Sequence, residues 1–266
     1  MLDHPSNQAA GLLELAIPPS PKFMAMVSHG DEQSELPLLW RLCASLADFG
    51  YSVTVLDATT CESDANPGLE QLLEYAYWPA SGSVDDAAAW TIIPSGMGLQ
   101  SLCAMPERKA QSLHHLGRLF QNEGAIILYG KAEWLVPLLA DSTLQPLLAL
   151  APVKSSLLTS YMALKHLLLK GRLNPTVVNL VPEHPPATGA QPGSVGASLR
   201  ECAKNFLGHE VNALTIATPS QDDQPCADMQ RLALRMLENA LALSPDLSDF
   251  PSRAHPHGAS HFARSH

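Results

Sequence analysis

Lys22-Phe-Met-Ala-Met-Val-Ser28 and Ser52-Val-Thr-Val-Leu-Asp57 are two short, mostly apolar runs, and together with the segment between them they decide the fold. Unbroken apolar runs of this length are typical of parallel strands that are buried on both faces. Between the runs, apolar residues recur at helical spacing over 36–49, and Gly50 follows as a residue suited to ending a helix. This order of strand, helix and strand predicts a βαβ unit with a right-handed crossover.

The same alternation continues along the chain. Ile126-Ile-Leu128 and Leu147-Leu-Ala-Leu150 are apolar without alternation, as burial on both faces requires. We predict further strands at 89–94, 125–129, 146–151, 176–181 and 211–217, and further helices at 107–121, 132–141, 155–170, 194–207 and 227–243. The pattern predicts an α/β fold with a doubly wound, mostly parallel sheet in a three-layer α/β/α sandwich.

Composition marks the boundaries of this domain. Pro18-Pro19-Ser20-Pro21 precedes the first strand, and the chain becomes polar and rich in proline after residue 243. We therefore expect an N-terminal segment at 1–21, one α/β domain at 22–243 and a disordered tail at 244–266. A second stretch rich in proline, glycine and alanine, at 182–192, is expected to be a surface loop.

Charge and hydropathy exclude several classes of function. The net charge is −10, which argues against a surface that binds nucleic acid or anionic lipid directly. The N-terminus lacks a basic region before an apolar run, and no segment reaches the roughly 18 apolar residues that span a bilayer. We expect a cytoplasmic protein without direct membrane association.

No metal site is expected from the sequence. The five cysteines show no CxxC spacing, so we interpret them as structural or incidental thiols. Four histidines, at positions 255, 257, 261 and 266, lie in the polar C-terminal tail. They could collect a transition metal, but their surroundings favour disorder.

The loop after the first strand, Ser28-His-Gly-Asp-Glu-Gln-Ser-Glu-Leu36, stands where nucleotide-binding sheets hold phosphate. In position and length it resembles the deviant P-loop of the MinD/ParA family, SGKGGVGK(S/T). Counting back from Gly50, Gly30 takes the place of the signature lysine and Glu35 that of the P-loop lysine. Leu36 takes the place of the hydroxyl that binds magnesium.

This resemblance implies a degenerate phosphate site comprising His29, Gly30, Asp31, Glu35 and Leu36. Both lysines are replaced, and Asp31, Glu32 and Glu35 place up to three negative charges near the loop. Leu36 has no oxygen for Mg²⁺. We therefore expect no ATP or magnesium cofactor. The alternative is that the segment is an unrelated loop between a strand and a helix.

Other segments resemble the same family, in order, over residues 22–217. The run at 53–58 resembles LLLDAD, 90–99 resembles IIPAGSGL, and 125–130 resembles VLIDTGAG with Tyr129 in place of the acidic residue. The runs at 146–165 and 176–181 follow the family's next strands. The resemblance implies a P-loop NTPase-like fold. It also implies that Asp57 and Asn179 are remnants of a nucleotide site, although a purely structural role for both is the favoured alternative.

The N-terminal segment indicates one branch of that family. Asn7-Gln-Ala-Ala-Gly-Leu-Leu-Glu-Leu15 resembles the DQAxxLR helix of FlhG/FleN proteins, which stimulates an FlhF-type, signal-recognition-like GTPase. Gln8, Ala9 and Leu12 match the motif, whereas Leu13 replaces its arginine. The resemblance implies an FlhF-like GTPase or another flagellar regulator as partner, bound through Gln8, Ala9, Leu12 and Leu15. Alternatively, the segment packs on the protein's own sheet.

Two functions follow as hypotheses. The first is an FlhG-like regulator of flagellar number or placement that binds partners without hydrolysing ATP, as a monomer or a nucleotide-independent dimer. The second is an accessory pseudo-ATPase of another positioning or envelope-polymer secretion system, such as cellulose synthesis. A working enzyme is disfavoured, because neither Ser95 nor the pair His114-His115 forms a recognisable nucleophile and base.

Overall fold

The computed structural model describes residues 20–75, 90–104, 109–182, 194–218 and 226–243. The predicted partner-binding residues Gln8, Ala9, Leu12 and Leu15 lie outside the described residues. So do most of the predicted loop at 182–192 and the predicted tail at 244–266.

The described residues form one sheet of eight strands. Its neighbours run in the order β3-β2-β4-β1-β5-β6-β7, and each adjacent pair along this path is parallel. The predicted doubly wound, mostly parallel sheet is confirmed. The strands are β1 (Lys22–Ser28), β2 (Val53–Asp57), β3 (Trp90–Pro94), β4 (Ala125–Lys131), β5 (Leu147–Leu150), β6 (Thr176–Pro182), β7 (Ala213–Thr218) and β8 (Leu241–Ala242).

Strand β1 lies at the centre of the sheet because its side chains suit burial on both faces. Residues 23–27 are each at most 1% exposed. Along its full length β1 pairs with β4, from Lys22 with Ala125 to Ser28 with Lys131. On its other side, β5 pairs with its carboxyl half and β8 runs antiparallel to its first two residues. The N–H of Leu243 then donates to the carbonyl of Pro21 at 3.1 Å.

Helices cover both faces of the sheet, which gives the three layers. Within the described residues, α1 and α8 bury their apolar residues against one face, and the other helices supply the core on the opposite face. The helices are α1 (Glu32–Asp48), α2 (Leu69–Tyr75), α3 (Gly96–Cys103), α4 (Lys109–Leu119), α5 (Ala132–Leu139), α6 (Lys154–His166), α7 (Ser194–Cys202) and α8 (Ala227–Glu238). Helices α6 and α7 each end in a π-helical turn, over Leu167–Gly171 and Ala203–Leu207.

Several boundaries differ from the predicted ones. Helix α1 begins at Glu32, because the carbonyl of Asp31 accepts from the N–H groups of Ser34 and Glu35, both at 2.9 Å. A pattern search that starts at the first apolar residue misses this polar first turn. The last helix ends at Glu238 instead of 243, since the chain turns into β8. Helices α2 and α3 span two turns each, too few for a periodic signal.

No helix in the described ranges is both long and apolar enough to cross a membrane. The apolar stripe of α8 instead lies against the sheet, with Met229, Leu232 and Met236 each at most 2% exposed.

Substitution of Ile127 tests whether β4 is an interior strand of the sheet. Its side chain is fully buried between β2 and β1, so Ile127→Ala should lower the free energy of unfolding by about 2–5 kcal/mol. The matched control is Leu158→Ala, which truncates a side chain that is 66% exposed and should cost about 0.5 kcal/mol or less. Urea denaturation measures both. Equal losses for the two variants would contradict the placement of Ile127.

Candidate functional site

The topology places a cleft at the carboxyl end of β1. The chain moves from β1 to β2 and β3 on one side, and later to β5, β6 and β7 on the other. In doubly wound sheets, ligands bind outside the carboxyl ends of the strands where this direction reverses. A cleft of about 530 Å³ lies there, lined by residues 28–30 after β1, residues 131–133 after β4 and one side of α6.

Backbone N–H groups of the loop after β1 converge on one oxygen atom. The N–H groups of His29 and Asp31 donate to Oε1 of Glu35 at 3.0 and 3.1 Å. Gly30, between them, has a φ of +91°, a conformation that residues with a Cβ rarely adopt. Successive N–H groups arranged around such a residue form an anion-binding concavity called a nest. The anion in this nest is a carboxylate of the same chain.

The Glu35 carboxylate is buried and fully engaged. Its side chain has no exposed surface, and the hydroxyl of Tyr129 donates to its Oε2 at 2.5 Å. Nε2 of His29 lies 3.3 Å from Oε1. A buried carboxylate is costly unless it is paired, and these contacts supply the pairing.

Tyr129 is held as a neutral donor in this arrangement. Its side chain is 1% exposed, and burial raises the pKa of its hydroxyl well above the ordinary range. The hydrogen bond to Glu35 raises that pKa further, because ionisation would remove the donated proton and place two anions together. Tyr129 therefore remains a hydrogen-bond donor across the physiological pH range.

His29 connects the loop to the other half of the sheet. Its Nε2 lies 2.9 Å from the carbonyl oxygen of Ala149, and its Nδ1 lies 2.9 Å from Oγ1 of Thr159. Because a carbonyl only accepts, this contact assigns a proton to Nε2. The ring thus joins the end of β1 to β5 and α6, and it forms part of the cleft wall.

The remaining loop residues point in different directions. Leu36 is partly buried and packs against the core between the sheet and the α1 layer, where it offers no oxygen. Glu32 is exposed, whereas Oδ2 of Asp31 is buried without a hydrogen-bond partner. Of the three acidic residues expected near the loop, Glu35 carries its charge inside the loop and not on the surface.

Asp57 and Asn179 lie apart from the nest. Asp57 ends β2, two strands from β1, and its carboxylate accepts from the N–H and hydroxyl of Thr59 and from the hydroxyl of Thr60, at 2.6–2.9 Å. Asn179 lies in β6, two strands away on the other side, and is 6% exposed. A Cβ atom on Gly196 of α7 would lie 3.1 Å from its side chain. Helix α7 therefore covers Asn179.

Other polar residues of this region have roles that the sequence did not suggest. The Glu62 carboxylate is 6% exposed and accepts from the N–H groups of Met97, Gly98 and Glu70 at 2.7–3.2 Å, which caps the start of α3. A lone acidic residue in a loop gives no pattern that reveals this. Thr159 was also missed, and Tyr129 was noted only as a departure from a family motif. Among the described residues, no three His, Cys, Asp or Glu side chains gather as a metal site would require.

Solved structures share this architecture at low sequence identity. A variant of Cyanothece McdA, in complex with ATP, is 14% identical, with 77% of this chain and 85% of that chain covered, at a TM-score of 0.52. Cobyrinic acid a,c-diamide synthase from Mycobacterium smegmatis, with bound ADP and magnesium, is 13% identical. The match covers 85% of this chain and 100% of that chain, at a TM-score of 0.52. This chain has the fold of the MinD/ParA-type P-loop ATPases.

A third similar structure is a ParA family ATPase from Chlorobium tepidum, which is 13% identical, with 82% of this chain and 98% of that chain covered, at a TM-score of 0.47. No family model matches the chain, and no curated protein matches it. Identities this low establish the fold alone.

Tyr129→Phe tests the buried pair. Removing the hydroxyl leaves Oε2 of Glu35 without its donor, so at pH 8 the variant should lose about 1–3 kcal/mol of unfolding free energy. The raised pKa of Tyr129 stabilises the folded wild type fully below about pH 10, the ordinary tyrosine value, and this stabilisation is lost as the pH rises further. The difference between the two proteins should therefore narrow from pH 8 to pH 11.

Urea denaturation at both pH values measures that difference. Tyr161→Phe, which removes a hydroxyl from a partly exposed tyrosine on α6, is the matched control. A difference between wild type and Tyr129→Phe that stays constant or widens with pH would contradict the assignment.

Proposed function

We propose that this chain is a MinD/ParA-type regulator that works by binding partner proteins without binding or hydrolysing ATP. The observation that carries the proposal is the Glu35 carboxylate in the nest after β1. A P-loop holds phosphate oxygens with backbone N–H groups at this place in the fold. Here the N–H groups of His29 and Asp31 already donate to an anion that belongs to the protein.

The side chains around the nest support the same proposal. Glu35 replaces the lysine that neutralises phosphate in the family pattern, and Leu36 replaces the hydroxyl that binds magnesium. Tyr129 stands where that pattern has an acidic residue, and its hydroxyl is engaged by Glu35. A bound nucleotide would have to displace a buried, paired carboxylate and would meet no lysine at position 35 in return.

We further propose that the process served is flagellar biogenesis, in the number or placement of flagella. The support is the likeness of residues 7–15 to the N-terminal helix of FlhG/FleN proteins. An amphipathic segment can dock through its apolar positions, here Ala9, Leu12 and Leu15, after the activating arginine is lost. The proposed partner is an FlhF-like GTPase. A pseudo-ATPase of another positioning or envelope-polymer system, such as cellulose synthesis, is the competing proposal if no such partner binds.

Titration with Mg-ATP tests the loss of nucleotide binding. We expect no saturable heat with a dissociation constant of about 100 µM or tighter, which corresponds to roughly 5.5 kcal/mol. The M. smegmatis synthase, whose structure holds ADP and magnesium, is a suitable positive control. Light scattering of this protein should give the same mass with and without Mg-ATP. A dissociation constant tighter than this limit, or a dimer that forms only with ATP, would defeat the proposal.

Deleting residues 1–17 tests the flagellar assignment. The deletion retains Pro21, whose carbonyl accepts from the N–H of Leu243, so the fold should persist. The thermal midpoint should fall by only a few degrees, which corresponds to about 1 kcal/mol of unfolding free energy. Capture of the FlhF-like GTPase from the same cell should be lost.

A matched pair of point variants sharpens this test. Leu12→Asp places a charge on the proposed docking face and should abolish capture, whereas Leu13→Arg restores the family's arginine and should retain it. Unchanged capture after the deletion would remove the support for the flagellar branch. A large loss of stability would instead assign the segment to the domain core.

A further inference from the structure

We infer that Glu35 is a built-in ligand that stands in for a phosphate group and holds the loop after β1 permanently in its anion-occupied conformation. The consequence of this inference is that partner binding does not depend on a nucleotide, and this consequence rests on the proposed function. The nest of His29, Gly30 and Asp31 binds small oxyanions as its class of ligand. Its occupant in this protein is a side chain of the same chain.

The contacts of Oε1 are those that a nest makes with an oxyanion. Two N–H groups, from residues two apart in sequence, point at the same oxygen from 3.0 and 3.1 Å. Gly30 supplies the left-handed turn that brings them together. Phosphate and carboxylate oxygens are equivalent acceptors for such donors. The loop therefore has the geometry of an occupied anion site without an external ligand.

The start of α1 adds a second favourable interaction. Asp31 occupies the N-cap position without making a side-chain cap hydrogen bond, and α1 runs for 17 residues from there. The Glu35 carboxylate lies within the first turn and accepts from the N–H of Asp31. Negative charge at this end of a helix is stabilised by the helix dipole, as a bound phosphate would be.

Contacts from the rest of the sheet keep the carboxylate in place. Tyr129, from β4, donates to Oε2, and His29 is itself fixed by Ala149 and Thr159. Rotation of Glu35 out of the nest would remove the acceptor of the Tyr129 hydroxyl and of the N–H groups of His29 and Asp31. Since residues 28–30 form one wall of the cleft, that wall keeps a single shape.

Removal of the carboxylate should expose the anion site. Glu35→Ala leaves the donors of His29 and Asp31 unpaired, and inorganic phosphate or sulfate should then bind them. We expect saturable stabilisation of this variant by sodium phosphate over sodium chloride at equal ionic strength, seen as a rise in its thermal midpoint. Formate, which carries the deleted carboxylate as a free ion, should act in the same way. Wild type should bind phosphate at least about tenfold more weakly.

Glu35→Gln is the matched control, because it fills the same space without a negative charge. It should not respond to phosphate. The inference is overturned if folded Glu35→Ala shows no stabilisation specific to phosphate, sulfate or formate. It is equally overturned if wild type and Glu35→Gln respond as strongly as Glu35→Ala, since the nest would then not be occupied by the carboxylate.

Amide hydrogen exchange of the wild-type chain decides the question even if Glu35→Ala does not fold. The N–H groups of His29 and Asp31 should be protected, to the same degree with and without Mg-ATP. Exchange at the rates of unprotected amides would overturn the inference. The proposed function fails separately, through tight Mg-ATP binding by wild type. If Glu35→Ala does not respond to anions and wild type does not bind ATP, this inference fails and the proposed function stands.

Discussion

The buried Glu35 carboxylate is the interaction on which the centre of this molecule depends. It joins α1 to the loop after β1 through two N–H groups and to β4 through the hydroxyl of Tyr129. His29, beside it, extends the connection to β5 and α6. An isolated buried charge is strongly destabilising, so this one constrains every group around it. Its hydrogen bonds depend on the positive φ of Gly30, the burial of Tyr129 and the start of α1 at Glu32.

The same hydrogen bond joins two positions at which this sequence differs from the MinD/ParA motifs that it resembles. The motif resemblance sets a lysine against position 35 and an acidic residue against position 129. Here the acceptor, Glu35, lies on the helix and the donor, Tyr129, lies on the strand. An acidic residue at 129 would place two carboxylates together, so the buried Glu35 requires a donor such as the Tyr129 hydroxyl at that position. Glu35 and Tyr129 are therefore complementary partners across the gap between α1 and β4.

The sequence predicted the sheet better than the site. Strands β1 and β2 were identified because unbroken apolar runs carry their own signal, and residues 28–36 were grouped because they are contiguous. The burial of Glu35 was not predictable, since an acidic residue in a polar stretch ordinarily faces solvent. Only the turn at Gly30 and the approach of β4 create its environment. Glu62 was missed for the same reason, and the spacing of Asp57 and Asn179 from the nest depends on strand order.

The contact of β8 with the start of β1 has a consequence for how the molecule can be engaged. Residues 21 and 243 are hydrogen-bonded to each other, so the chain enters and leaves the described domain at one pole. The cleft lies at the other pole, separated by the length of β1, seven residues or roughly 23 Å. The points at which the chain enters and leaves the described domain are thus remote from the cleft, so contacts made at residues 21 and 243 do not obstruct it.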